Sequence, residues 1–133
     1  SDLMSDFEER LKKAKALLED GKGEEARIAL LELLKEDPKN PTALLMLGGA
    51  YFYEKMYAEA EMVYERLLQA EPGSGMVSIA LFNSLWKQGR HDEAADEIRR
   101  FISMADPVKE RSTIAQYAEI SRAIAEGAGL LDE

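Results

Sequence analysis

A spacing of 34 residues recurs through this chain and constrains its fold more than any other feature. Ala26, Ala60 and Ala94 stand at this spacing, as do Pro38 and Pro72, and a further proline follows one residue late. Each alanine falls in the second of two predicted helices, and each proline ends such a pair. Because a helix pair cannot bury its apolar face alone, this period predicts an all-α solenoid of stacked hairpins. The expected role of such a chain is to hold another molecule.

Capping residues and helix breakers predict seven helices within one domain spanning residues 1–133. We expect repeats at about 7–40, 41–74 and 75–106, a capping helix at about 107–126 and a tail at 127–133. The three repeated alanines should let the paired helices approach closely, and a larger side chain there should cost about 1 to 3 kcal/mol. The apolar stripe of the capping helix is predicted to comprise Ile114, Tyr117, Ala118, Ser121 and Ile124.

The composition limits the classes of partner. With 26 acidic and 17 basic residues among 133, the chain carries a net charge of -9, and no segment is basic. Nucleic acids and anionic lipids are therefore disfavoured, and a neutral or basic protein partner fits better. No apolar run is long enough to span a membrane, and the first residues lack the features of a signal peptide. We expect a cytoplasmic protein, with a periplasmic location left open.

The sequence contains no recognisable catalytic or metal-binding motif. Cysteine is absent, which removes disulfides, thiol catalysis and thiolate metal sites. The single histidine, His91, is predicted to pack at an interhelix turn. The carboxylate pairs are interpreted as solvated helix faces: Glu8 and Glu9, Glu24 and Glu25, Asp96 and Glu97. We therefore predict a protein that is not an enzyme and has neither cofactor nor metal.

The second unit shows a specific residue pattern. It comprises Leu44, Leu47, Gly48, Tyr51, Tyr57, Ala60, Tyr64, Leu67 and Pro72. The third unit repeats it with Leu81, Leu85, Gly89, His91, Ala94, Ile98 and Phe101, and the first unit follows it more weakly. In these residues the chain resembles the tetratricopeptide repeat family. The resemblance implies a right-handed stack of helix pairs whose first helices line a concave groove, where a peptide or an extended partner segment binds.

The best-known groove of that family clamps a terminal carboxylate with basic and amide side chains. The positions that would carry this clamp hold Leu11, Lys15, Met46, Met76 and Ala80. Only Lys15 can contact an acid, so the resemblance does not extend to binding the carboxylate ends of chaperone tails.

The inner positions of the first helices are mainly apolar and aromatic instead. We predict that they bind an apolar helix or extended segment of a partner, with Tyr53 and Trp86 as anchors. Alanine at both anchors should then weaken binding by about 2 kcal/mol or more and change melting little. The predicted binding residues are Leu11, Lys15, Leu45, Met46, Gly49, Phe52, Tyr53, Met76, Ile79, Asn83, Trp86 and Lys87.

Three other interpretations of this apolar stripe stay open. The side chains can be core, because the first helices of a superhelix also contact their neighbours. The groove can be covered by the chain's own tail, through Leu130 and Leu131, or by a second copy in a homodimer. The sequence does not separate these interpretations from binding of a foreign ligand.

Overall fold

The computed structural model describes residues 4–131, with side chains described through residue 127. This part of the chain contains seven helices joined by turns. Seven is also the number of helices that the sequence predicts. The helices are α1 (Asp6–Glu19), α2 (Gly23–Glu36), α3 (Pro41–Tyr53), α4 (Tyr57–Ala70), α5 (Gly75–Lys87), α6 (His91–Met104) and α7 (Arg111–Leu131).

The first helices of the pairs begin at polar side chains that cap them. The Ser5 hydroxyl accepts a hydrogen bond from the Glu8 amide at 3.1 Å, and Asn40 Oδ1 accepts one from the Ala43 amide at 2.9 Å. Ser74 Oγ does the same for Val77 at 3.3 Å. These bonds satisfy amides that have no partner within the helix, and they explain why α1, α3 and α5 begin where they do.

The 34-residue period is also present in the backbone of the turns within the helix pairs. Gly21, Lys55 and Gly89 stand at this spacing, and they alone among the described residues have positive φ angles, of 76°, 63° and 76°. After each of them, an amide donates to the carbonyl five residues earlier, as Met56 does to Tyr51 at 2.8 Å. This is the Schellman arrangement that ends a helix and reverses the chain. Lys55 therefore takes a conformation that costs a non-glycine residue energy.

The chain forms two compact units, Ser1–Leu67 and Leu68–Glu133. In the first unit, α1, α2, α3 and α4 enclose an apolar core. Ala26 and Ala60 are fully buried, as the overpacking argument requires. Gly48 lies directly against the Tyr64 ring, and a Cβ added at Gly48 would overlap that ring. The buried core cluster of this unit comprises Ala14, Leu30, Leu33, Ala43, Leu44, Leu47, Ala50 and Val63.

The second unit has its core between α5, α6 and α7. Phe101 and Tyr117 are fully buried, and their ring centroids lie 5.5 Å apart in an edge-on arrangement. Phe82 contacts the same tyrosine, with centroids 5.8 Å apart. The third repeated alanine, Ala94, is also fully buried. The buried Phe82 is thus part of the aromatic core that contacts α7.

The seventh helix differs from its prediction at both ends. It begins at Arg111 rather than near residue 107, because Asp106 Oδ1 accepts hydrogen bonds from the Val108 and Lys109 amides and forms a turn first. It continues to Leu131 rather than ending near residue 126. A glycine ends a helix readily when it adopts a left-handed conformation, and Gly127 does not.

The predicted stripe of α7 is partly wrong as well. Tyr117 is buried, and Ile114, Ile120 and Ile124 are half-buried, whereas Ala118 and Ser121 are exposed. The inward face therefore follows positions 117, 120 and 124. The predicted cover by Leu130 and Leu131 concerns side chains outside the described part of the chain.

Alkaline pH should destabilise the first unit through Tyr64. Burial raises the pKa of Tyr64 to about 12 from 10.0. The neutral phenol is therefore kept in the folded state, and stability is intact below about pH 10 and falls as pH rises towards 12. We expect a loss of about 1.4 kcal/mol from this group at pH 11. Urea unfolding at pH 9 and 11 measures it. Tyr64→Phe should lose less stability than the wild type over this interval, and equal losses would contradict the assignment.

Candidate functional site

An apolar cleft of about 550 Å³ opens between α5, α6 and α7 in the second unit. Its walls are mostly apolar, and the polar side chains among them are Asn83, His91 and Asp92, all of them exposed. A volume of this size accommodates several side chains of a partner segment. The cleft is lined by Phe82, Asn83, Trp86, His91, Asp92, Ala95, Ile120, Ala123, Ile124 and Gly127.

Trp86, one of the two predicted anchors, stands in the wall of this cleft. Its ring stacks on Phe82 with centroids 5.7 Å apart, and on His91 with centroids 3.9 Å apart. The predicted packing role of His91 at the interhelix turn is thereby confirmed. Contacts with these two rings restrict the indole, which also lines the cleft and gives its wall a rigid aromatic surface.

A hydrogen-bond network connects α7 to α5 and α6. Ser78 Oγ donates to Glu97 Oε2 at 2.6 Å and is 2.7 Å from the Tyr117 hydroxyl. Arg100 donates to both Glu97 oxygens, at 2.6 and 2.7 Å, and to the Pro72 carbonyl at 2.8 Å. Burial raises the pKa of Tyr117, so this hydroxyl stays protonated. The network gives the wall of the cleft formed by α7 a defined position.

The burial of Glu97 corrects its interpretation as part of a solvated face. This residue is 5% exposed, whereas Asp96 beside it is exposed and paired with Arg99. Glu97 is tolerated inside because its carboxylate accepts three hydrogen bonds, two of them from the guanidinium of Arg100. The Glu97 carboxylate in turn raises the pKa of Arg100. The three-residue spacing from Glu97 to Arg100 was the available signal, since side chains at this spacing share a helix face.

The predicted binding residues of the first unit fall into two groups. Leu11 and Met46 pack against the core cluster, which favours the core interpretation for them. Leu45 is half-buried and Lys15 is exposed.

Gly49, Phe52 and Tyr53 lie on the same helix, α3. Space is open beside Gly49, and Phe52 packs edge-on against Tyr57 at 5.1 Å. Tyr53 is 61% exposed, with its ring lying over the turn at Gly21 and Gly23. Tyr53 thus has a contact within its own unit and leaves most of its surface to solvent.

The predicted binding residues of the second unit are also distributed unevenly. Asn83 and Trp86 lie in the cleft. Met76 is 69% exposed, Ile79 is half-buried and Lys87 is exposed, and none of these three lines the cleft. Because Trp86 is stacked on two rings, alanine at this position should also lower stability, contrary to the expectation that melting would change little.

The α7 wall of the cleft was missed by sequence reasoning. Ile120, Ala123, Ile124 and Gly127 follow one another at intervals of three, one and three residues, the spacing of one helix face. This face was assigned to covering the third pair, with Ser121 in place of Ile120. A shift of one residue around the helix separates the predicted stripe from the observed one.

The described residues include no group of three or more histidine, acidic or cysteine side chains arranged to hold a metal ion. Within the same part of the chain, every buried polar side-chain atom has a hydrogen-bond partner. None of the described helices has the length and apolar character needed to cross a membrane.

Paired helices, left-handed turns at a 34-residue spacing and a terminal helix define a helical repeat protein. Two tetratricopeptide repeat models match the chain, over residues 11–75 and 51–103, and together they cover well over half of it. The chain belongs to the tetratricopeptide repeat family, and its all-α repeat fold is confirmed. Members of this family are in general scaffolds for protein–protein interaction.

Solved structures of MamA resemble this chain. A MamA point mutant superposes with a TM-score of 0.69 at 21% identity, covering 80% of this chain and 77% of that one. MamA AMB-1 gives 0.67 at 21% identity, covering 77% of this chain and 61% of that one. MamA MSR-1 gives 0.67 at 22% identity, covering 88% and 68%. No curated protein matches the chain. These identities establish likeness of fold alone.

Proposed function

We propose that this protein is a non-catalytic binding module that holds an apolar helix or extended segment of a partner protein. The observation that carries this proposal is the apolar cleft of about 550 Å³ beside Trp86. Trp86 and Asn83 were selected from the sequence as ligand contacts, and both line this cleft. Apolar walls of this kind gain free energy when a partner side chain displaces water from them.

The expected ligand carries an apolar side chain for the cleft and no acidic group beside it. Asp92 lines the cleft, and the chain as a whole has a net charge of -9. A carboxylate of the partner near Asp92 would meet repulsion, whereas a neutral or basic group would be accepted. Asn83 supplies both a donor and an acceptor for the partner backbone. The rest of the predicted surface, including Tyr53 and Met76, is proposed to extend the contact.

The competing function is structural, with a homodimer closing the same apolar surface. The two functions predict different effects of a substitution that fills the cleft. Filling it prevents capture of a foreign protein in the first case and self-association in the second.

Ala123→Arg tests the binding function. Ala123 is exposed on the α7 wall of the cleft, so an arginine there fills the cleft without removing a core contact. We expect quantitative mass spectrometry of pull-downs from the native source to show at least one protein that is retained by the wild type and depleted about ten-fold by Ala123→Arg.

Ala125→Arg is the matched control, because Ala125 is exposed on the same helix and does not line the cleft. It should retain the same proteins as the wild type, and circular dichroism should show equal helicity in all three. Identical sets of captured proteins for both arginine variants would contradict the proposal.

A further inference from the structure

A second apolar surface lies on the first unit, on the helices that follow the turns. Ile28 and Leu31 of α2 and Met62 of α4 are exposed by 54%, 38% and 68%. Leu31 and Met62 also line a cleft of about 320 Å³. None of these residues belongs to the predicted binding surface. Large apolar side chains grouped around a cleft on a charged protein indicate an interface.

The charges on the rim of this cleft are arranged symmetrically. Glu59 and Arg66 of α4 both line it, on either side of Met62. They are seven residues apart, which places them on one helix face at a distance of about 10 Å along the axis. Neither has an ion-pair partner among the described residues. The surface therefore presents one negative group, a central methionine and one positive group in a line.

This order of charges is complementary to the same order in a second copy that runs in the opposite direction. When two α4 helices lie antiparallel about a two-fold axis near Met62, Glu59 of each copy faces Arg66 of the other. Such an isologous contact forms the Glu59–Arg66 pair twice, so that every charge on the rim is paired once, and it brings the two exposed Met62 side chains together near the axis.

We propose that this face of the first unit, defined by Ile28, Leu31, Glu59, Met62 and Arg66, forms a symmetric dimer with a second copy of the chain. The residues of this face are distinct from those that line the cleft beside Trp86. Such a dimer presents two ligand sites in one particle, which increases avidity for partners that carry more than one segment.

Charge exchange tests the reciprocal pairing directly. The experiment is sedimentation equilibrium of the full chain at about 0.15 M salt. At this salt concentration the Debye length is about 8 Å, which limits repulsion between the acidic copies. We expect a monomer–dimer equilibrium for the wild type. Glu59→Arg alone and Arg66→Glu alone should each weaken it about ten-fold, because both symmetric pairs become repulsive. The double variant should recover the wild-type constant, and an equimolar mixture of the two single variants should form a heterodimer.

Glu119→Arg is the matched control, since Glu119 is an exposed residue of α7 and undergoes the same change of charge. It should dimerise like the wild type, and Met62→Lys should not dimerise at all. The proposal is overturned if the wild type stays monomeric to about 1 mM, beyond the range of specific interfaces. It is also overturned if the double variant fails to recover, or if Ala123→Arg rather than the α4 variants abolishes the dimer.

Discussion

Tyr117→Ala should lower the free energy of unfolding of this protein by about 3 to 5 kcal/mol, the range for removing a large buried aromatic side chain. The ring is fully buried and contacts Phe82 and Phe101, with centroids 5.8 and 5.5 Å away. Its hydroxyl is 2.7 Å from Ser78 Oγ. The substitution leaves a cavity and removes the main contact of α7 with the rest of its unit.

Urea unfolding followed by circular dichroism measures this loss, and hydrogen exchange shows where it falls. Amides of α7 should lose protection first, because their helix loses its anchor. Tyr117→Phe is the matched control and should cost about 1 kcal/mol, since it keeps the ring and removes one hydrogen bond. A loss below 1 kcal/mol for Tyr117→Ala would show that α7 is held by other contacts.

Glu97→Ala should be nearly as damaging, with an expected loss of about 2 to 4 kcal/mol. Glu97 accepts hydrogen bonds from Arg100 and Ser78, and its side chain is 4% exposed. Its removal leaves the guanidinium and the Ser78 hydroxyl without their acceptor. Arg100 is one third exposed and keeps its bond to the Pro72 carbonyl, which limits the cost.

The double variant Glu97→Ala with Arg100→Ala separates the pair from the packing around it. The same urea titration applied to both single variants and the double variant gives the coupling energy between the two side chains. We expect the double variant to be more stable than the sum of the single losses indicates. If the two single losses simply add in the double variant, the paired hydrogen bonds between Arg100 and Glu97 contribute nothing to stability.

Elements with a local cause were predictable from the sequence. Ser5, Asn40 and Ser74 mark the starts of the first helices because a capping side chain acts within three residues of its own position. The repeated alanines indicated where the helices approach closely, because close approach requires a small side chain at the contact itself.

Elements that depend on tertiary contacts were not predictable in the same way. Glutamate is a residue type that usually lies on a solvated helix face. At position 97 the carboxylate is stable when buried only because Ser78 and Arg100 pack around it. The glycine at 127 was interpreted as a helix end, but the φ angle that would end the helix is absent there. Lys55 takes the conformation of Gly21 and Gly89 because the repeat, rather than its own preference, determines the turn.

The candidate site was partly predictable. Trp86 and Asn83 were identified because the family pattern assigns them to an inner helix face. The opposite wall depends on how α7 rotates about its axis, and a rotation of one residue exchanges Ser121 for Ile120. The apolar pattern of α7 alone does not determine this rotation, because exposed alanines lie on both sides of its apolar stripe.

Occupation of the cleft beside Trp86 by a partner segment can be measured directly by fluorescence. Trp86 is the single tryptophan of the chain, so its fluorescence reports on this cleft alone. Titration of the chain with a captured partner that lacks tryptophan should shift the emission of Trp86 to shorter wavelength. The Kd from this titration should equal the Kd measured by calorimetry. Ala125→Arg should repeat this result and Ala123→Arg should not. A partner that binds the wild type tightly while the emission of Trp86 stays unchanged would contradict the account.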